Sequence, residues 1–280
     1  MLILVTGGLG FIGSHFVDSL IDQGHEVHVV DNLSTGQLCN RNDQAVTFVM
    51  DVVDFCKKFE YQYDRIYHLA NNARIARSFE YAEETLLNNY NTTVAICEYM
   101  KKTGSKYLLF ASSSTTEFTD QFNNPYTFSK HQCDDVLELY RKHYGLKCGV
   151  VKFYNVYGSM REKDLGEYTT VIRKFKQLVM QGKPLTVIGT GERRRDFTHI
   201  DDTISALSGI NASPEERDYH IGTGVNYRIL DLAKAFDHPI SFVPDRAYEL
   251  QDTICVHPYT ATEIDVIEHI KQWSKENGTR

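Results

Sequence analysis

The chain has 280 residues, 42% of them hydrophobic, enough for a large core carried by one big domain or by a main domain with a smaller lobe. Its 37 acidic and 30 basic residues leave a net charge of -7 with the signs interspersed, so no basic stripe follows a phosphate backbone and nucleic acid is excluded as a partner. Six cysteines without any CxxC spacing indicate neither a zinc site nor a disulfide scaffold, and read as small core residues in a reducing compartment.

The first apolar run, Leu2 to Val5, has the length of one buried parallel strand and reaches glycine at once. It leaves no room for a signal peptide or membrane span, so a soluble, cytoplasmic protein without a membrane partner is expected. A glycine-rich turn follows, and 13 to 23 carries helical apolar spacing at Phe16, Val17, Leu20 and Ile21 before Gly24 ends it. Further β-rich runs lie at 26 to 30, 45 to 50, 65 to 69, 106 to 111 and 148 to 153, with helical stretches between most of them, the longest at 83 to 102 and 126 to 143. Such alternation implies βαβ units, hence an α/β fold with a doubly wound parallel sheet and ligands at the carboxyl ends of its strands. After Asn155 the rhythm changes: a helix is predicted over 170 to 181, a short strand over 184 to 188, a glycine turn, and a charged run from Glu192 to Asp196. Short mixed elements fill the tail, which ends in an amphipathic helix near 264 to 273.

The turn Gly7-Gly8-Leu9-Gly10-Phe11-Ile12-Gly13 satisfies GxGxxG between a strand and a helix, the setting in which that motif cradles a pyrophosphate on unpaired helix N–H groups. Asp31, about twenty residues on at the end of the second strand, suits a ribose with a free 2'-hydroxyl and so favours NAD over NADP. Tyr126 and Lys130 stand four apart on one helical face, where an ammonium favours ionisation of a phenol whose ordinary pKa is near 10. The serine run Ser112-Ser113-Ser114 ends the preceding strand and supplies a hydroxyl for a substrate oxygen. Together these residues describe an acid/base pair for moving hydride at a carbinol or carbonyl. His68 and His199 read as core or structural histidines, and no histidine pair has metal spacing.

In order and spacing, Val5 to Gly13, Asp31 to Gly36, His68-Leu69-Ala70, Asn89, Phe110 to Ser114, Tyr126xxxLys130, Phe153 to Gly158 and Arg195-Asp196-Phe197 are similar to the extended short-chain dehydrogenase/reductase family, specifically its nucleotide-sugar epimerase and dehydratase branch. The resemblance spans nearly the whole chain. It implies that Gly7, Gly10, Phe11, Ile12 and Gly13 cradle NAD, that Asp31 and Asn32 take the adenosine ribose, that Asp51 and Val52 flank adenine, and that Leu69, Ala70 and Asn89 line the nicotinamide side. Lys130 would hydrogen-bond the nicotinamide ribose while lowering the Tyr126 pKa. Counting along the strand places the catalytic hydroxyl at Ser113, and a one-residue shift would give Ser114, otherwise a substrate contact. Asn155, Thr170, Val171, Arg195, Phe197 and Arg246 match positions that meet a nucleotide diphosphate sugar, the guanidinium groups through phosphate and Phe197 through the nucleobase.

Departures from the family pattern sharpen the expectation. Thr115 stands where dehydratases and decarboxylases of the branch carry an acid, which turns the reading toward simple oxidation and re-reduction at C4 of a UDP-hexose or UDP-N-acetylhexosamine. Thr116-Glu117-Phe118 and Ser159-Met160-Arg161 replace the usual Val-Tyr-Gly and Pro-Arg-Gln, and the C-terminal region lacks most of a helical insertion. A small Thr253 hints at room for an N-acetyl group. Alternatives are a keto-sugar reductase or dehydratase of the same branch, and an NAD-binding sensor without turnover. The expected architecture is a Rossmann domain over 1–155, with 191–226 returning to it, and a small discontinuous α/β substrate lobe over 156–190 and 227–280. A homodimer is implied by the family.

Overall fold

The computed structural model describes residues 1–245, 252–259 and 262–277. Eleven strands are present among them: β1 (Leu2–Thr6), β2 (Glu26–Asp31), β3 (Val46–Val49), β4 (Arg65–His68), β5 (Leu108–Ala111), β6 (Cys148–Phe153), β7 (Leu185–Ile188), β8 (Arg194–Asp196), β9 (Asp218–Ile221), β10 (Asn226–Arg228) and β11 (Ile240–Val243). The helices are α1 (Phe11–Asp22), α2 (Val52–Lys58), α3 (Ile75–Glu80), α4 (Ala82–Thr103), α5 (Thr115–Phe118), α6 (Pro125–Tyr144), α7 (Val171–Met180), α8 (Ile200–Ala212), α9 (Ile229–Ala235) and α10 (Val266–Asn277).

Seven strands form the central sheet in the order β3-β2-β1-β4-β5-β6-β9. Pairing is parallel from β3 through β6. Strands β1 and β5 are apolar on both faces because helices cover both, which explains why they read as continuous hydrophobic runs. The strand order reverses between β1 and β4, so the glycine turn after β1 and Leu69-Ala70 after β4 lie at the switch point, where ligands bind in such sheets. Long helices α4 and α6 end on Gly104 and Gly145, both left-handed at φ 71° and 67°, a conformation that glycine adopts without a Cβ penalty. Asn124 caps α6 by accepting from Thr127 N–H, and Pro125 occupies its first turn, fixing where Tyr126 starts.

Contacts divide the chain into two compact units. The first is 1–152 with 161–163 and 204–219; the second is 153–160, 164–203 and 220–280. Of the stretch 191–226 expected to return whole to the first unit, only 204–219 does so. The reason is pairing: β8 runs antiparallel to β10 in a separate two-stranded sheet, and β7 pairs with β11 in another. The second unit has its own core of Ile172, Phe175, Leu185, Val187, Phe197, Leu232 and Ile270. Its organising polar residue is Asp196, fully buried, whose carboxylate accepts from Thr223 N–H and hydroxyl, Gly224 N–H and Cys255 N–H at 2.7 to 3.0 Å.

Candidate active site

Gly7 has φ +72°, and a Cβ there would lie 2.8 Å from Ala70 N, so the turn is pressed against the segment after β4. A Cβ on Gly13 would lie 2.2 Å from Gly7 O. Gly10 is different: its Cβ would meet only Gly7 O at 3.1 Å among the described residues, leaving the outer side of the turn open. Helix α1 begins there with no side-chain cap on its N–H groups. An open glycine cradle over an uncapped helix start fits the pyrophosphate of a dinucleotide, with Phe11, Ile12 and Gly13 in the first turn.

Asp31, 5% exposed at the end of β2, accepts Leu9 N–H at 3.0 Å and Leu33 N–H at 2.8 Å. Burial pushes its pKa up, while those two bonds and the Lys163 charge oppose the rise. Each oxygen retains a lone pair, so the carboxylate can still receive ribose hydroxyls. Asn32 reaches Asp51 at 3.5 Å, bringing together two residues expected near adenosine. Asp51 also caps α2 by accepting Val53 N–H at 2.8 Å, and Val52 is 4% exposed. Asn89 differs from expectation. It is fully buried, its oxygen accepts from Asn72 N–H and Asn88, and its nitrogen donates to Asn72 O and Ser129 Oγ. An amide with both ends engaged has no capacity left for a cofactor, so Asn89 braces the segment after β4 against α6.

At the end of β5, Ser113 Oγ accepts from Thr115 N–H at 3.2 Å and from the Thr115 hydroxyl at 3.0 Å. Its own proton is thereby left available, and the Ser113 hydroxyl favours ionisation of the Tyr126 phenol. Ser114 precedes α5 as its N-cap residue without a capping bond. Tyr126 is 7% exposed, and burial pushes its pKa up; the Ser113 hydroxyl and the Arg74 charge oppose that.

Lys130 follows Tyr126 by one turn on α6. Its ammonium, 1% exposed, donates to Ala111 O at 2.7 Å and lies 5.9 Å from the Tyr126 ring centroid. Burial lowers its pKa to about 8. The Arg74 charge favours the Tyr126 anion. Asp134, one turn beyond Lys130 on α6, accepts from the Ser112 hydroxyl at 2.9 Å and has its pKa raised to about 6 by burial. Its i+4 spacing from Lys130 was a readable signal. His68 is a core residue as expected: it is fully buried, its Nδ1 pairs with Thr6 Oγ1 at 2.7 Å, and burial with the Lys130 charge lowers its pKa to about 3.

In the second unit, Asn155 stands at φ +32° and donates to Asp196 O at 2.7 Å. Thr170 precedes α7 as its N-cap residue, and Val171 opens the helix half-buried. Arg195 is half-buried on β8 opposite Tyr227, and donates to Arg194 O at 2.8 Å; Arg193 pairs with Asp245 instead. Phe197, 3% exposed, packs edge-on to Tyr157 in the core, so no ring face is free for a nucleobase. Arg246 lies outside the described residues. Thr253 is 2% exposed with Oγ1 unpaired among the described residues.

Residues 3–222 match the NAD dependent epimerase/dehydratase family, and the chain belongs to it. The chain is similar to a Thermotoga maritima UDP-glucose 4-epimerase solved with UDP-glucose: TM-score 0.88, 28% identity, 98% of each chain covered. A Thermus thermophilus UDP-glucose 4-epimerase in complex with NAD matches with a TM-score of 0.86 and 26% identity, again over 98% of each chain. A UDP-N-acetyl-alpha-D-glucosaminuronate decarboxylase of Bacillus cytotoxicus is 29% identical, covering 98% of this chain and 97% of its own. The cofactor is NAD.

Proposed function

We propose that the protein epimerises a nucleotide diphosphate sugar at C4, acting on a UDP-hexose or UDP-N-acetylhexosamine through a transient 4-keto sugar. The arrangement at Ser113, Thr115 and Tyr126 carries this reading. Tyr126 as its anion takes the proton of the C4 hydroxyl, and Ser113 holds that oxygen. NAD, which Gly7, Gly10, Gly13 and Asp31 would hold, would supply reversible hydride exchange at C4, with the opposite face of the 4-keto sugar presented for the return. Tyr126 then gives the proton back, so atoms and electrons balance with no net oxidation. Dehydration and decarboxylation in this branch call for an acid at position 115. Here Thr115 binds Ser113 through its hydroxyl, which favours epimerisation over the chemistry of the decarboxylase relative.

Asn155, Thr170, Val171, Arg195 and Arg246 are proposed to hold the sugar nucleotide, with guanidinium groups on phosphate. A homodimer is supported by apolar side chains left exposed on the two long helices: Leu87 and Tyr90 on α4, Leu139 and Tyr144 on α6. No described helix is long and apolar enough to cross a membrane, which is consistent with a cytoplasmic enzyme.

The test is NAD-loaded protein incubated with UDP-glucose, UDP-N-acetylglucosamine and UDP-glucuronate, with products followed by NMR. Formation of the C4 epimer without accumulation of reduced cofactor supports the proposal. Net reduced cofactor, a 6-deoxy-4-keto product or no turnover would replace it by a dehydrogenase, a dehydratase or a non-catalytic sensor.

A further inference from the structure

The Ser113 hydroxyl stands where β5 gives way to a helix of a single turn, and the two sides of it are held differently. Up to Ser112 the chain is fixed by β6 and α6. Ser112 N–H donates to Val151 O at 2.9 Å, Ser112 Oγ donates to Asp134 Oδ2 at 2.9 Å, and Lys130 donates to Ala111 O at 2.7 Å. From Ser113 onward the hold comes from α5. Ser113 Oγ accepts from Thr115 N–H and hydroxyl at 3.2 and 3.0 Å, and Ser113 O accepts from Thr116 N–H and hydroxyl at 3.2 and 2.9 Å. Ser114 O accepts from Glu117 N–H at 3.1 Å.

Helix α5 has only the four residues Thr115–Phe118. One turn fixes many dihedrals for few hydrogen bonds, so it does not hold its own geometry and depends on side chains that reach other elements. Glu117 makes such a reach. Its Oε1 is 3.2 Å from Lys152 Nζ near the end of β6, and the same ammonium is 3.2 Å from Asp218 Oδ2 at the start of β9.

The Lys152 side chain is 12% exposed, against 30% for Glu117 and 48% for Asp218, so the shared cation is the shielded member and salt screens this pair less than one on the open surface. Burial opposes the Lys152 charge, and the Glu117 and Asp218 carboxylates outweigh it and raise the pKa, which keeps the ammonium charged through the working range. Lys152 directly follows Val151, whose carbonyl fixes Ser112. One short stretch of β6 therefore holds Ser112 through its main chain and α5 through a side chain. The Lys152 charge also favours the anion of Asp134, the acid that receives the Ser112 hydroxyl.

We propose that Glu117 and Lys152 are positioning residues for the Ser113 hydroxyl: their ion pair docks α5 on the sheet and so keeps Thr115 in the geometry that sets the direction of Ser113 Oγ. The inference rests on the substrate-holding role given to Ser113 above. It gives a function to the departure at Thr116-Glu117-Phe118, which the catalytic reading left unused. Because Asp218 also holds Lys152, a change at Glu117 tests the docking of α5 with the cation still in place.

The test uses NAD-loaded full-length protein and two readouts. Hydrogen exchange followed by mass spectrometry should show the segment 113–119 exchanging about tenfold faster in Glu117→Ala, with α6 unchanged, and Lys152→Met should reproduce this. Alanine is the better helix former, so propensity alone would act in the opposite direction. With UDP-glucose and UDP-N-acetylglucosamine as substrates, Glu117→Ala should lower kcat about tenfold while KM and NAD affinity stay within about twofold. Glu117→Gln, whose side-chain carbonyl still accepts from Lys152, should recover to within about threefold of wild type. In a Ser113→Ala background, Glu117→Ala should change kcat by less than about twofold, because the oxygen it serves is gone. Unchanged exchange at 113–119, equal losses in the Ala and Gln variants, or the same fall in kcat with and without Ser113 would each overturn the proposal. So would a lower melting temperature with kcat at the wild-type value, the mark of an ion pair that only stabilises the sheet. If neither sugar nucleotide turns over, the epimerase reading fails, while exchange at 113–119 still decides whether Glu117 docks α5.

Discussion

Replacing Gly13 by alanine tests whether the glycine turn is built around a dinucleotide. The new Cβ would sit 2.2 Å from Gly7 O and 2.9 Å from both Gly7 C and Gly8 Cα, all main-chain atoms. Ordinary contact begins at 3.4 Å, so the Gly7 carbonyl must retreat by more than an ångström. It has little freedom to do so. Gly7 N–H donates to Val30 O at 2.8 Å, Gly10 N–H donates to Gly7 O at 3.0 Å, and Gly7 already touches the backbone after β4. Overpacking costs about 1–3 kcal/mol, and loss of the Gly10 bond roughly 1 more. The helix propensity of alanine over glycine returns about 1. The net loss is about 1–3 kcal/mol, a fall of roughly 2–4 °C in Tm for each kcal/mol in a chain near this size. NAD affinity should fall by about 10- to 100-fold, or roughly 1.4–2.8 kcal/mol, because the displaced atoms form the cradle. Calorimetric titration with NAD measures this, beside thermal melts of Gly13→Ala and of Gly24→Ala, whose Cβ meets nothing within 4 Å. The control should lose only backbone strain of about 1–2 kcal/mol, with NAD affinity unchanged. A folded Gly13→Ala protein that binds NAD within about twofold of wild type would refute the assignment of this turn.

Tyr126→Phe should lower turnover by about 10²- to 10⁴-fold with NAD retained, as measured by product NMR and cofactor absorbance; an unaffected rate would remove Tyr126 from acid/base chemistry. Asp31→Ala should weaken NAD more than the sugar nucleotide in parallel titrations, since the carboxylate also holds Leu9 and Leu33 N–H groups of the cofactor loops. Asp196→Asn places amide hydrogens among donors already aimed at the carboxylate, at a cost of about 2–4 kcal/mol in urea unfolding; a loss below about 1 would contradict that network. Acid should destabilise the protein through His68. Its folded pKa of about 3 lies below the unfolded value of 6.5, so the unfolded state binds more protons between them and stability falls as pH drops through that window. The slope from this residue is about 1.4 kcal/mol per pH unit below pH 6, and His68→Gln should flatten it; equal slopes in urea melts at pH 7 and 5 would oppose the assignment.

The sequence by itself determined what is local or periodic. The six parallel strands from Leu2 to Phe153 were legible because they are short apolar runs bounded by turn residues, and the long helices because their apolar positions recur at helical spacing. The glycine turn, Asp31 and the Tyr126/Lys130 pair were legible because strand ends and helical turns fix their placement from neighbours in the chain. Tertiary structure decided what depends on residues far apart in sequence. Arg74 meets Glu162 across 88 positions, Asn89 braces Asn72 and Ser129 across 17 and 40, and Asp196 collects donors from Thr223 and Cys255. It also decided which side of a residue stays free: Phe197 went into a core, Lys130 turned its ammonium to Ala111 O, and the charged run divided so that Arg193 pairs with Asp245 while Arg195 lies on β8. Spacing along a chain specifies direction within one helix or strand. Burial, hydrogen-bond saturation and the electrostatics of a phenol are set by whichever distant segments pack around it.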